Sequence, residues 1–162
     1  MTAKKQLAHL FDATQCIGCT ACITACVQTN QPDMMTDEVA GWGWLPSNIR
    51  MVTLERAQRP VQILVQCQHC TDAPCVNTCP FGANYHDPET GLPMKCMGEG
   101  CQKLVADGQK PACVAACPMN ARAFGDINDP TSDISRRIAS LKTEKLLPHK
   151  GTKPNYFVVV SK

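Results

Sequence analysis

A small α+β fold with cysteine thiols in its interior is predicted by three observations. Twelve cysteines stand in three blocks of four within 162 residues. Short runs of strand character, at 6–12, 49–55 and 61–65, flank the first two blocks. A stretch with helical spacing follows the third block and leads to a final run of β-formers at 156–160. Aromatic residues make up only 5% of the chain, and the cysteines are themselves counted in its 44% of hydrophobic residues. The ordinary apolar core is therefore modest, and whatever the thiols bind must supply part of the folding free energy.

Taken in order, 6–12 (QLAHLFD) alternates loosely and reads as a strand running into the first cysteine block. A short helix over 26–31 should stop before Pro32. An insertion over 32–48 follows, rich in turn formers, with Gly41-Trp42-Gly43-Trp44-Leu45-Pro46 at its centre. Residues 49–55 (IRMVTLE) and 61–65 (VQILV) form a hairpin. After the second block comes a turn over Asp87-Pro88-Glu89-Thr90-Gly91. Cys-Pro-Phe-Gly-Ala from Cys79 and Cys-Pro-Met-Asn-Ala from Cys117 are an internal repeat, each a binding turn running out of a short helix into a strand.

Past Gly125, Asp129-Pro130 or Ser132 caps a helix over 133–145. Ile134, Ile138 and Leu141 give it one apolar face. Lys142 and Lys145 suit its C-terminal dipole, and Pro148 and Gly151 stop it. Residues 156–160 (YFVVV) are a strand or an extended clamp. The predicted organisation is a cysteine-rich domain over 1–125 and a C-terminal helix and partner-docking tail over 126–162.

The cysteine spacing carries the chemistry. The first block, Cys16-x2-Cys19-x2-Cys22-x3-Cys26, is the iron–sulfur ligand run of bacterial ferredoxins. The second is Cys67-x2-Cys70-x4-Cys75-x3-Cys79, and the third Cys96-x4-Cys101-x11-Cys113-x3-Cys117. A [4Fe–4S] cube takes four thiolates, so twelve cysteines suffice for three cubes. Disulfides fit badly, because thiols three residues apart are crowded for independent bridges. Zinc is the better rival, but its cysteines come as two separated pairs rather than a run of three plus one.

In two-cluster ferredoxins the fourth cysteine of each run ligates the other cluster. Applied here, Cys16, Cys19, Cys22 and Cys117 hold one cube, and Cys26, Cys96, Cys101 and Cys113 a second. Cys67, Cys70, Cys75 and Cys79 are left to hold the third. The fold is then a ferredoxin-like polycluster domain with two pseudo-symmetric cluster-binding halves. Pro80 and Pro118, directly after the last cysteines of their blocks, end the preceding helices. Val27 stands where the first block would have its proline.

A net charge of +2 gives no electrostatic footprint for nucleic acid or a membrane surface. No apolar run reaches 18 residues, so no direct membrane insertion is expected. The first ten residues show neither a signal-peptide core nor a twin arginine. The expected location is the cytoplasm, with co-export on a signal-bearing partner as the periplasmic alternative. No glycine-rich phosphate loop occurs, which excludes a flavin or nicotinamide site of that kind. His69, between Cys67 and Cys70, should hydrogen-bond nearby backbone, since four thiolates complete a cube without it. Trp42 and Trp44 read as packing anchors rather than electron relays, and Lys103 and Lys110 as solvated surface. Asp87 and Glu89 form no acid–base pair.

These blocks resemble the ferredoxin-like electron-transfer subunits of molybdenum and tungsten bis-pterin oxidoreductases, the small subunits of dimethyl sulfoxide, polysulfide and formate enzymes. The marks are CIGCTACITAC from Cys16, CQHCTDAPCVNTCPFGA from Cys67, the third block from Lys95, and a tail from FGDINDPTSDISR to GTKPNYF. Two departures stand out. The family has four blocks, whereas only 16 cysteine-free residues separate Cys79 from Cys96 here. It also has two residues where Cys96 and Cys101 are separated by four. The count of three blocks is similar to the small subunit of pyrogallol–phloroglucinol transhydroxylase.

The resemblance implies an electron-transfer subunit with no substrate site of its own. It would relay electrons to or from a large molybdenum or tungsten bis-pterin catalytic subunit, and a further redox or membrane-anchor subunit is compatible with it. The rivals are a stand-alone polyferredoxin serving several enzymes and a structural zinc protein. In either iron–sulfur reading the metal-free chain is expected to be unstable.

Overall fold

Strand β1, Leu7–Asp12, is the middle of a three-stranded sheet in the computed structural model, which describes residues 5–40, 47–55, 60–88, 91, 93 and 98–161. All six of its residues are buried. The loose alternation of the sequence is explained by this position, because both faces of the strand are covered and neither needs polar residues. Helix α1 follows at Ala21–Asn30, then a 3-10 turn at Pro32–Met34 and the one-turn helix α2 at Asp37–Ala40. Strands β2 (Arg50–Leu54) and β3 (Val61–Val65) pair antiparallel as a separate hairpin. Helices α3 (Pro74–Asn77), α4 (Glu99–Ala106) and α5 (Ala112–Ala115) carry cysteines of the later blocks. Strand β4 (Arg122–Asp126), helix α6 (Asp133–Ser140), a 3-10 turn at Pro148–Lys150 and strand β5 (Tyr156–Val159) complete the order.

The sheet runs β4-β1-β5. β4 lies antiparallel to β1, with Phe11 opposite Arg122, and β5 lies parallel to it, with His9 opposite Tyr156. The tail beyond Gly125 thus supplies an edge strand of the main sheet. Ala8, Leu10, Ala123 and Phe157 face one side and pack under Ile134 of α6. Phe11, Tyr156 and Val158 face the other, against Cys22, Cys26, Cys113 and the hairpin residues Val61 and Leu64. Helices α1 and α5 therefore sit on one face of the sheet and α6 on the other.

α1 begins five residues earlier than the sequence predicts. Its buried residues Cys22, Cys26 and Val27 recur at helical spacing and give it one interior face, which the cysteine pattern had hidden. α6 is capped as expected, Ser132 accepting from the Ser135 amide, but it ends at Ser140 instead of 145. From Leu141 the backbone is extended, and Glu144 bridges Val158 through two 2.8 Å backbone bonds, covering the open edge of β5. Lys142 and Lys145 accordingly lie past the helix end. Lys145 instead places its Nζ 4.5 Å from the centre of the Phe157 ring.

The internal repeat is visible in the backbone. α3 and α5 are each four residues long with cysteine second, Cys75 and Cys113, and each is followed by cysteine-proline. Their exits differ: the second copy runs into β4, whereas the first runs into a loop whose described residues make one bridge, His86 to Pro93. Among the described residues no helix is long and apolar enough to cross a membrane.

Candidate metal centre

Two cavities lie on the cysteine side of the sheet. The first is lined by Cys16, Cys19, Cys22 and Cys117, with Arg122 and apolar walls that include Phe11 and Leu64. The second is lined by Cys26, Cys101 and Cys113, with His9, Asn30, Ile49 and Pro111. Cys96 and the two tryptophans, Trp42 and Trp44, lie outside the described residues, as does Glu89.

Local structure explains this distribution. Cys22 and Cys26 are one helical turn apart on α1, so one helix supplies a thiol to each cavity. α5 packs on α1 and does the converse: Cys113 faces the second cavity, and Cys117, two residues past the helix end, faces the first. The loop before α1 turns back through Gly18 and Thr20, both at positive φ, and so presents Cys16 and Cys19 to the same cavity as Cys22. In each cavity the thiols are part of the lining. Among the described residues no three His, Cys, Asp or Glu side chains gather closely enough for a single metal ion.

The donor chemistry fits an iron–sulfur cube. Burial pushes the Cys113 thiol up to about 11, with Cys101 and Cys26 adding to the rise and Arg122 opposing it. Burial raises Cys22 as well, against the charge and a side-chain hydrogen bond of Arg122. Thiols this buried stay protonated unless a cation takes the proton's place, which is what ligation by iron does. Asn30 adds a donor: its Nδ2 lies 3.3 Å from Cys101 Sγ and 3.8 Å from Cys26 Sγ.

The second block lines neither cavity. Cys67 and Cys70 follow β3 directly, Cys75 sits on α3, and Cys79 follows it. Backbone amides of Asn84, Phe81, Ala83 and Gly82 pull the half-buried Cys79 thiol below its usual range. That loop is a nest of N–H groups directed at sulfur, the arrangement that stabilises a thiolate before any metal arrives. Thr152, in the C-terminal tail, lies with its Oγ1 3.5 Å from Cys70 Sγ.

His69 departs from expectation. Its ring is 1% exposed, and neither ring nitrogen has a hydrogen-bond partner among the described residues. It meets the ring of His9 edge-on, centroids 4.7 Å apart at 79°. Burial, followed by the charge of Arg122, lowers its pKa to about 4. What does bond to backbone is its own carbonyl, which accepts from Asn155 Nδ2 at 2.7 Å. Sequence reasoning missed His9, Asn30 and Arg122 altogether. A histidine in the middle of an apolar strand was the one available signal. Asp87, whose carbonyl accepts from the Gly91 amide at 2.8 Å in the expected turn, is buried, and Gln102 Nε2 donates to its carboxylate.

Comparison with known proteins agrees with this chemistry. A family described as 4Fe-4S dicluster domain matches residues 15–83, and a second of the same description matches residues 79–127. A protein NrfC homolog of Haemophilus influenzae is 32% identical, the match covering 94% of this chain and 79% of that protein. A sulfite dehydrogenase subunit of Allochromatium vinosum is 32% identical over 92% of this chain and 80% of its own length. A polysulfide reductase component of Wolinella succinogenes is 30% identical over 98% and 96%. These alignments span 191, 193 and 189 positions, more than the 162 residues of this chain, so each relative carries residues with no counterpart here.

Proposed function

This chain belongs to the 4Fe-4S iron–sulfur electron-transfer subunits of the molybdopterin oxidoreductase family, and on that premise we propose that it carries three [4Fe–4S] clusters between a catalytic partner and a second redox partner. The ligand sets are Cys16, Cys19, Cys22 and Cys117; Cys26, Cys96, Cys101 and Cys113; and Cys67, Cys70, Cys75 and Cys79. What supports the pairing of the first two sets is an exchange: α1 gives Cys22 to the first cavity and Cys26 to the second, while α5 gives Cys113 to the second and the turn after it gives Cys117 to the first. The same exchange, with the repeated helices α3 and α5, supports two pseudo-symmetric halves. A fourth block between Cys79 and Cys96 is taken as lost here, the interval holding 16 residues and no cysteine.

When bound, each cube supplies a one-electron couple whose potential follows charge, hydrogen bonds to sulfur and exposure. The chain's residues set those quantities. Apolar walls such as Phe11 and Leu64 exclude water, Asn30 and the amides of 81–84 donate to sulfur, and the covalent frame fixes the spacing. The catalytic partner is a large bis-pterin subunit carrying molybdenum or tungsten. Assembly in the cytoplasm is part of the proposal, because cluster insertion needs reduced thiols.

Elemental analysis of anaerobically purified protein tests the count: about twelve irons per chain are expected, four per cube. About eight would overturn three cubes. Copurification with one large pterin-bearing subunit at fixed stoichiometry is expected; a chain isolated alone and reducing several unrelated enzymes would be a free polyferredoxin instead.

A further inference from the structure

Arg122 opens β4 and stands opposite Phe11 in the sheet, so its side chain shares the face of Phe11 and is directed into the cysteine side of the molecule. It is 2% exposed, a guanidinium removed from water. Its Nη2 donates to the neutral Gln66 Oε1 at 2.6 Å. On the wall of the first cavity it stands among Cys16, Cys19, Cys22 and Cys117 with apolar neighbours. A buried cation is costly unless negative charge is held against it. Four thiolates on a cube supply such charge, since the assembly is an anion in both of its redox states.

We propose that Arg122 is the fixed counter-charge of the cluster held by Cys16, Cys19, Cys22 and Cys117, and that it raises the reduction potential of that cluster more than it raises those of the other two. The inference rests on the ligand sets proposed above. Reduction adds one negative charge, which a nearby cation favours, so removing the cation makes reduction harder. The influence is graded across the molecule. Arg122 lines the first cavity but not the second, and no cysteine of the second block lines the cavity in which it stands. The effect is therefore largest at the first cavity. Arg122 is a positioning and tuning residue, not a ligand.

The test is a potentiometric titration of the full-length, cluster-loaded chain followed by electron paramagnetic resonance, with signals assigned through single Cys→Ser variants. Arg122→Gln should shift the reduced-to-oxidised ratio of the first-cavity cluster about tenfold toward oxidised at a fixed potential, a fall of about 59 mV for a one-electron couple. Arg122→Lys, which keeps the charge, should restore most of it. Should Arg122→Gln not retain its clusters, Gln66→Glu sets a carboxylate against Nη2 with the arginine in place, and the same midpoint should fall. A first-cavity midpoint equal to wild type in the neutralised variant, or an equal fall at all three clusters, overturns the inference. Wild-type iron far below about twelve per chain would instead overturn the ligand sets on which it rests.

Discussion

Asn30 and Cys101, 71 residues apart, are joined twice: the Cys101 amide donates to Asn30 Oδ1 at 2.9 Å, and Asn30 Nδ2 reaches Cys101 Sγ at 3.3 Å. One side chain at the end of α1 thus fixes the start of α4 and donates toward a candidate ligand. Asn30→Leu leaves the Cys101 amide without its acceptor and should destabilise the chain by about 1–3 kcal/mol. Asn30→Asp keeps the acceptor and loses the donor. It should retain more stability but lower the midpoint of the second-cavity cluster. Thermal loss of cluster absorbance and a redox titration separate the two effects; an unchanged second-cavity midpoint in Asn30→Asp would mean that the donor to sulfur has no role.

Gly100 is required for the same junction. A Cβ there would fall on the Thr29 carbonyl oxygen, a backbone atom that cannot move aside. Gly100→Ala should therefore drive α4 from α1 and deplete the second-cavity cluster. Gly108→Ala is the control. Nothing lies near its Cβ, and only its φ of +73° is strained, so a cost of about 1 kcal/mol with full iron is expected. Equal iron loss in the two variants would refute the steric explanation.

Cys22→Ala and Cys26→Ala, one turn apart on α1, should remove different clusters. Under the proposed ligand sets each loses up to about four irons, from the first cavity and the second respectively, or converts that cube to a smaller one. Loss of the same signal in both variants would contradict the division between cavities.

Iron retention should depend on pH in a direction set by the thiols. Ligation requires thiolate, so affinity falls as pH falls, about tenfold per unit for each thiol that must release a proton. A thiol at the ordinary value of 9.0 ceases to contribute above that pH, but Cys113, pushed up to about 11, extends the dependence further. Competition with a chelator should show resistance still rising between about pH 9 and 10. A plateau by about pH 9 would mean that Cys113 is not buried as described.

Ser132→Ala removes the cap of α6, whose Oγ accepts from the Ser135 amide at 3.2 Å and donates to the Asp126 carbonyl at 2.7 Å. A loss of about 1 kcal/mol with unchanged iron content is expected, read as a lower melting temperature. α6 covers the sheet face remote from the cysteines, so altered cluster spectra in this variant would count against that separation.

Much of the local structure was legible. The hairpin of β2 and β3, the cap at Ser132 and strands β1 and β5 follow from short-range pattern and turn chemistry. The errors were of one kind. The start of α1 at Ala21, the end of α6 at Ser140 and the burial of His69 all depend on what packs alongside, and neighbours remote in sequence leave no local periodicity.

By itself, the sequence determined the chemistry: thiol spacing selects a cluster, and spacing is a property of the polypeptide. Only the tertiary structure decided the environment of those thiols. That His9 meets His69, that Asn30 holds Cys101, and that Arg122 sits beside Cys22 depends on strands and helices brought together from distant segments. The reason is physical. Coordination is short-ranged and specified by residue type, whereas burial, field and hydrogen bonding to sulfur arise from whichever groups the fold assembles around it.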